Sequence, residues 1–304
     1  MTLLVLSEED VERLLTMPEC IEAMSDVLAA LTRGELFQPL RFVVRPPDPG
    51  ALLGLMPAHR AGERPAFALK EIVIVPSNPE RGLDAHQGGV LVHDGATGEL
   101  RALLNASPIT AIRTAAVSAV ATRALARPGA RTVAIIGTGV QGAAHAEAMR
   151  VVLDEPEIRQ WSRSSGGSAE EVVRGADVVC TCTTSREPVL RREWLAPGAH
   201  VNAVGASVPN ARELDEETMR AATVIVDRSE SALNEAGELL IPGLDGDAIA
   251  AELGEVLTGA HPGRTAANEL TVFKSLGLAV EDLAAAELVV RRAREQGMGV
   301  EVPF

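Results

Sequence analysis

Tyrosine is absent from this sequence, and aromatic residues make up only 2% of it. The missing tyrosine excludes a phenolic acid, which leaves proton transfer to the other ionisable side chains or to water. Cations are scarce too: Lys and Arg number 28 against 42 Asp and Glu, giving a formal net charge of −14 and a pI near 5.0. A nucleic-acid surface needs clustered Lys and Arg to neutralise phosphates, and this balance argues against one. The three cysteines, Cys20, Cys180 and Cys182, form no evenly spaced framework of the secreted kind. Cys180 and Cys182 stand two apart in an apolar run without a second pair or a neighbouring His, so buried, reduced thiols are expected rather than a metal pair. No apolar run approaches the ~20 residues of a membrane span. From the short apolar stretch before Glu8, Glu9 and Asp10 no signal peptide is expected. A cytoplasmic protein with no membrane and no nucleic-acid partner is therefore expected.

What is present is core-forming material, 46% hydrophobic over 304 residues, enough for two domains of the usual ~100–200 residues. Ser7 followed by Asp10 reads as a helix cap, and Pro18 can open a second helix with Ile21, Met24, Leu28 and Leu31 on one face. Strand formers follow at 51–56, 67–75, 89–93 and 100–104, the last two joined by a hairpin at 94–98. They are apolar at most positions rather than alternating, which predicts burial on both faces, by helices or by a second subunit. A long Ala-rich helix is expected from Pro108 to about 126. Beyond it, a short apolar strand at 133–136 and further strands at 158–161, 178–181, 200–204, 223–226 and 271–273 are separated by helical stretches in most places, and one long helix closes the chain from about 276 to 296. Alternating strand and helix predicts a parallel, doubly wound α/β sheet.

Residues 133–142 read Val-Ala-Ile-Ile-Gly-Thr-Gly-Val-Gln-Gly. Gly137, Gly139 and Gly142 fit G-x-G-x-x-G directly after a strand and at the start of a helix, the context that dinucleotide binding requires. Gly137 permits the tight turn, Gly139 admits the pyrophosphate, and Gly142 lets helix and strand pack closely, with Thr138, Val140 and Gln141 between them. An NAD-preferring site places Asp or Glu at the end of the second strand, but here that strand runs into Ser162-Arg163-Ser164. A guanidinium between two hydroxyls suits a 2′-phosphate, which favours NADP(H) and leaves NAD(H) open.

Several segments resemble the ornithine cyclodeaminase/mu-crystallin family, most closely its ketimine reductase-like mu-crystallin branch. They are Gln38-Pro39-Leu40-Arg41, Gly54-Leu55-Met56-Pro57-Ala58, the stretch from Ile109 through Arg113 and Thr114 to Ala116, Val201 through Gly205 to Ser207, Arg212-Glu213-Leu214-Asp215, and Thr271 through Lys274 and Ser275 to Gly277. They occur in family order over nearly the whole chain. The resemblance implies a homodimer with a Rossmann dinucleotide-binding domain (119–284) and an N-terminal α/β substrate-binding and dimerisation domain (1–118, rejoined by a C-terminal helix at about 285–304). It places the ligands of a small imino or amino acid's carboxylate on Arg41, Lys70 and Arg113, a further proton donor on His86, and Thr114 and Ser275 with the cofactor. Lys70 lies in an apolar run, where desolvation lowers a lysine pKa toward the range useful for proton transfer. His59, His93, His145, His200 and His261 show no metal spacing and are expected to be structural or exposed.

Two departures sharpen the expectation. Ornithine cyclodeaminases carry a catalytic aspartate at the position of Ser207, and without that base the resemblance points to NAD(P)H-dependent reduction of a cyclic ketimine carboxylate of the Δ1-pyrroline-2-carboxylate or Δ1-piperideine-2-carboxylate type. An ornithine cyclodeaminase, an alanine-type amino-acid dehydrogenase and a non-catalytic NADPH-binding protein are the alternatives. The segment between Ser164 and the strand at 178 is also short, with room for one helix where the family usually places a further helix and strand.

Overall fold

The computed structural model describes residues 2–47 and 50–304; Met1, where the N-terminal reading and the first expected domain begin, lies outside them. In chain order the first elements are β1 (Thr2–Leu6), α1 (Glu8–Leu14), α2 (Met17–Thr32), β2 (Leu36–Phe37), β3 (Phe42–Val44), β4 (Leu52–Arg60), β5 (Ala66–Ile74), β6 (His86–Asp94) and β7 (Leu100–Asn105). Then come α3 (Ala106–Leu125), β8 (Thr132–Ile136), α4 (Val140–Val152), β9 (Glu157–Trp161), α5 (Ala169–Val173), β10 (Val178–Thr181) and β11 (His200–Ala203). The rest are α6 (Glu216–Ala221), β12 (Thr223–Val226), α7 (Ser229–Glu235), α8 (Gly237–Leu240), β13 (Ala251–Glu252), α9 (Leu253–Leu257), β14 (Thr271–Lys274), α10 (Ala279–Gln296) and β15 (Val300–Pro303).

The chain divides into two compact units. The first runs to Arg113 and resumes at Leu278; the second is Thr114–Gly277. These divisions fall inside α3 and just before α10, a few residues from the expected 118 and 285. The first carries no Gly or Pro signal, because α3 continues unbroken through it, whereas the second falls directly after Gly277, whose φ is +80°.

The first unit is an eight-stranded mixed sheet in the order β15-β1-β7-β6-β5-β4-β2, with β3 paired to β4. Local chemistry starts it well: Ser7 and Asp10 form a reciprocal capping box at α1, and Pro18 stands in the first turn of α2. The long antiparallel ribbon β4-β5-β6 buries one face under α10. Met56, Ala58, Ala66, Ala68, Lys70, Val90 and Val92 are buried there. Among the described residues no helix of this unit covers the opposite face, which leaves a second subunit as the expected cover for it. Phe42 is 68% exposed and Phe67 49% exposed. Phe42 stands opposite Leu55, Val44 and Val73 opposite Leu53, and Phe67 opposite His59, so these apolar side chains share that face. β1 and β15, whose short apolar or mixed runs carry no turn signal, extend the sheet at its other edge.

The second unit is a seven-stranded, wholly parallel sheet in the order β13-β12-β14-β11-β10-β8-β9. Its inner strands β8, β10, β11, β12 and β14 are buried almost throughout on both faces, which is why they are short and mostly apolar, while the edge strand β9 is only partly buried. From β8 the chain moves outward to β9 and then returns to β10 on the other side of β8, the topological switch point at which doubly wound sheets bind ligands. β9 is the edge strand, and the short link to β10 holds only α5, capped by Ser168 and Glu171.

Candidate active site

The glycine loop sits at that switch point. Gly137 has φ +124°, a conformation closed to most side chains, and a Cβ there would stand 2.3 Å from the Cys182 carbonyl. A Cβ on Gly142 would stand 2.1 Å from the Gly137 carbonyl, so the third glycine is what lets α4 start so close to β8. Gly139 meets nothing within 4 Å. It caps α4 without a side-chain hydrogen bond, and no acidic residue lies in the first helical turn. The α1 and α5 N-termini, by contrast, carry Glu and Asp and close their own boxes. The α4 N-terminus thus presents backbone N–H groups and the positive end of the helix dipole to open space, with Thr138 and Val140 exposed beside it. This cradle fits a pyrophosphate. Gln160, on β9, donates to the Gly137 carbonyl at 3.0 Å and holds the loop down. Ser162-Arg163-Ser164 forms a turn directly after β9, with Arg163 and Ser164 exposed. Thr114 is buried on α3, and Ser275, also buried, bonds the Ala203 carbonyl just past β14.

In the first unit, residues distant in sequence meet under α10. The Lys70 ammonium lies 2.8 Å from Asp282 Oδ2. Arg113 donates through Nε to Asp282 Oδ1 at 3.0 Å and through Nη1 to Glu281 Oε2 at 2.8 Å. All four side chains are at most 5% exposed. Burial lowers the Lys70 pKa from 10.5 to about 8; Asp282 opposes that shift, and the charges of Arg113 and Arg41 add to it. Arg41, in the link between β2 and β3, thus lies within electrostatic range of Lys70. His86 opens β6 with its side chain about half exposed, 3.9 Å from Asp84. Its pKa is lowered by desolvation, raised by Asp84 and lowered again by Lys70. Lys70, Arg113 and Arg41 are therefore brought together, with His86 at their margin.

Glu281 and Asp282 were not anticipated. Their one signal was a Glu-Asp pair in the first turn of a helix whose next residues are apolar, which reads equally as an ordinary acidic first turn. Glu281 does close the α10 cap, accepting from the Leu278 N–H at 3.1 Å, while also holding Arg113.

The remaining histidines and cysteines have other surroundings. His145 is buried between the Gln141 carbonyl and Ser118, and burial lowers its pKa to about 4. His200 lies buried between Thr271 and Asn202, and His59 stacks on Phe67 with ring centroids 4.4 Å apart. Cys180 is buried and its thiol pushed up to about 12 by desolvation. Among the described residues no group of His, Cys, Asp and Glu is arranged to hold a metal ion, and no helix is long and apolar enough to cross a membrane.

The sequence profile of the ornithine cyclodeaminase/mu-crystallin family matches residues 1–169 and 162–297. The chain is 41% identical over 302 residues to the ketimine reductase mu-crystallin of Mus musculus, covering 93% of this chain and 95% of that one. It superposes with TM-score 0.94 and 34% identity on the Thermococcus litoralis Δ1-pyrroline-2-carboxylate reductase, solved with NADH and L-proline, over 98% of this chain and all of that one. An archaeal alanine dehydrogenase dimer with bound NAD gives the same TM-score, 0.94, at 30% identity, with complete coverage of both chains.

Proposed function

Because the chain belongs to the ornithine cyclodeaminase/mu-crystallin family, we propose that it is an NAD(P)H-dependent reductase of cyclic ketimine carboxylates. The substrate is of the Δ1-pyrroline-2-carboxylate or Δ1-piperideine-2-carboxylate type, and the product is the cyclic amino acid. One observation carries the reading: Lys70 and Arg113 are buried and held by Asp282 and Glu281, with the charge of Arg41 close by. Such a cluster is costly to bury, and it suits a small ligand whose chief handle is a carboxylate.

Arg113 and Arg41 clamp that carboxylate, with Lys70 adding a further donor. Each charge-assisted bond contributes ~1.5–3 kcal/mol, and together they fix the α-carbon. Asp282 and Glu281 orient the cations before substrate arrives, so little reorganisation is left to the reaction. Lys70, with its pKa near 8, keeps the imine nitrogen protonated, so the C=N π electrons have a place to go. His86 is a second donor at the same margin. A reduced nicotinamide, when bound at the glycine loop, would supply the hydride that the imine carbon accepts. Gly137, Thr138, Gly139, Val140 and Gln141 hold its pyrophosphate, and Thr114 and Ser275 complete the cofactor site. Ser162, Arg163 and Ser164 receive a 2′-phosphate, so NADPH is preferred over NADH. Ser207 cannot replace the base that cyclodeamination needs.

The protein works as a homodimer through the open face of the first unit's sheet. Phe42, Val44, Phe67 and Val73 make an apolar patch there of the kind a monomer rarely leaves exposed.

The test is a nicotinamide-oxidation assay with NADPH and NADH in parallel against both cyclic imino acids. Rapid oxidation, faster with NADPH, is expected. Ammonia release from alanine with NAD+ would select the dehydrogenase reading, which the archaeal structure favours. Tight NADPH binding with no turnover would select a binding protein.

A further inference from the structure

Among the charged side chains that the second unit buries and the proposed chemistry does not use, Glu213, Glu238 and Lys274 form one connected group, none more than 1% exposed. Lys274, the last residue of β14, donates from Nζ to the Ala206 carbonyl at 2.5 Å and pairs with Glu238 Oε2 at 3.0 Å. Glu238 Oε1 in turn accepts the Glu213 N–H at 3.0 Å. Every bond at the Glu213 carboxylate is donated to it. Oε2 accepts the Gly205 N–H and the Thr181 hydroxyl, and Oε1 the N–H and hydroxyl of Thr183, each at 2.7 Å. The fit is tight: a Cβ on Gly205 would stand 2.1 Å from the Thr183 carbonyl and 2.6 Å from Glu213 Oε1.

The three side chains therefore tie together the carboxyl ends of β10, β11 and β14, which are neighbours in the sheet. These strands lie on the far side of the switch point from β8 and β9, the half of a doubly wound sheet that receives the second nucleotide of a dinucleotide. Removing an ammonium and two carboxylates from water is a heavy cost that an apolar core of the same shape avoids. What the ions supply and an apolar core does not is a fixed peptide at 205–207.

We infer that Lys274 is a positioning residue: with Glu213 gripping the Gly205 amide, its bond to the Ala206 carbonyl sets the peptide that carries Ser207 at the nicotinamide end of the cofactor site. The inference rests on the proposed reductase reading. Glu238 serves as the counter-ion.

The test separates position from charge balance. K274M removes the donor and leaves Glu238 uncompensated; E238Q removes the counter-ion and leaves the donor. The double variant K274M/E238Q removes both charges and keeps an acceptor for the Glu213 N–H. Melting temperature, kcat and KM on the cyclic imine, and the emission of bound NAD(P)H are measured for all three. Both single variants are expected to melt lower than wild type and the double variant to recover most of that loss. kcat is expected to fall about tenfold in K274M and in the double variant, with KM little changed, and to stay near wild type in E238Q. Recovery of kcat together with melting temperature in the double variant overturns the inference, as does an equal loss of kcat in E238Q. If wild type reduces neither imine, the reductase reading fails by itself and bound NAD(P)H decides. Emission altered in both Lys274 variants and unaltered in E238Q supports the positioning role; emission altered alike in all three, or in none, overturns it.

Discussion

The two units reach their chemistry by opposite routes. In the second, the cofactor cradle is one contiguous segment, 137–142, and its working parts are backbone N–H groups and missing Cβ atoms. In the first, the ion cluster joins residues 70, 113, 281 and 282, which meet only because β5, α3 and α10 pack together. The physical reason is general: main chain folded locally can hold a phosphate, whereas a carboxylate clamp of the proposed kind needs fixed cations, and buried cations need fixed counter-ions from elsewhere in the chain.

Variants that strike one unit alone should separate these routes. The largest effect is expected from R113A and K70A, each lowering kcat/KM for the cyclic imine about a hundredfold or more. The Kd for NAD(P)H, read by isothermal titration, should be unchanged. Each variant also removes one cation from a buried carboxylate, so its melting curve should show a loss of up to about 3–5 kcal/mol. Unaltered turnover in both would remove these residues from the site.

The reverse break is G142A. Its new Cβ must displace the Gly137 carbonyl, 2.1 Å away, so titration should show NAD(P)H binding weakened about tenfold or more. Wild-type affinity would mean that the loop does not hold the cofactor.

A third measurement follows the Lys70 proton. kcat/KM should fall about tenfold per pH unit above the Lys70 pKa of about 8. Asp282 raises that pKa, so in D282N the descending limb should move to lower pH. Stability carries the matching sign. The folded pKa lies below the ordinary 10.5, so between about 8 and 10.5 the unfolded chain holds more protons and stability gains as pH rises. Below about 8 the cost of burying the charged ammonium is present in full. A wild-type melting temperature that fails to rise relative to K70M through that window would contradict the assignment.

The smallest effect is at the exposed turn after β9. R163A should weaken NADPH about fivefold and leave NADH unmoved, read as the ratio of the two Kd values. An unchanged ratio would take the 2′-phosphate away from Arg163.

Much of the fold was legible in the residues. Short apolar runs between helical stretches marked the parallel sheet, because strands buried on both faces need no polar positions. The capping box at Ser7 and Asp10 and the Pro18 start of α2 were visible for the same local reason. β1 and β15 were not, since two short edge-side strands gain their structure from each other and from β7 rather than from a turn or an alternating pattern. The mixed burial of β4 and β5 also escaped notice: Phe67 and Val73 are apolar yet exposed, and the alternation that marks a one-sided sheet is missing from their sequence.

By itself, then, the sequence determined the doubly wound second unit, the glycine cradle, the absence of a carboxylate after β9, and the family. Each of these is written in contiguous residues whose conformational preferences act over a few positions. Only the tertiary structure decided that Glu281 and Asp282 hold Lys70 and Arg113, that Lys274 reaches the Ala206 carbonyl, and which face of the first sheet stays open. Those pairings join segments far apart along the chain, and the desolvation that gives them their strength exists only once the core has closed around them.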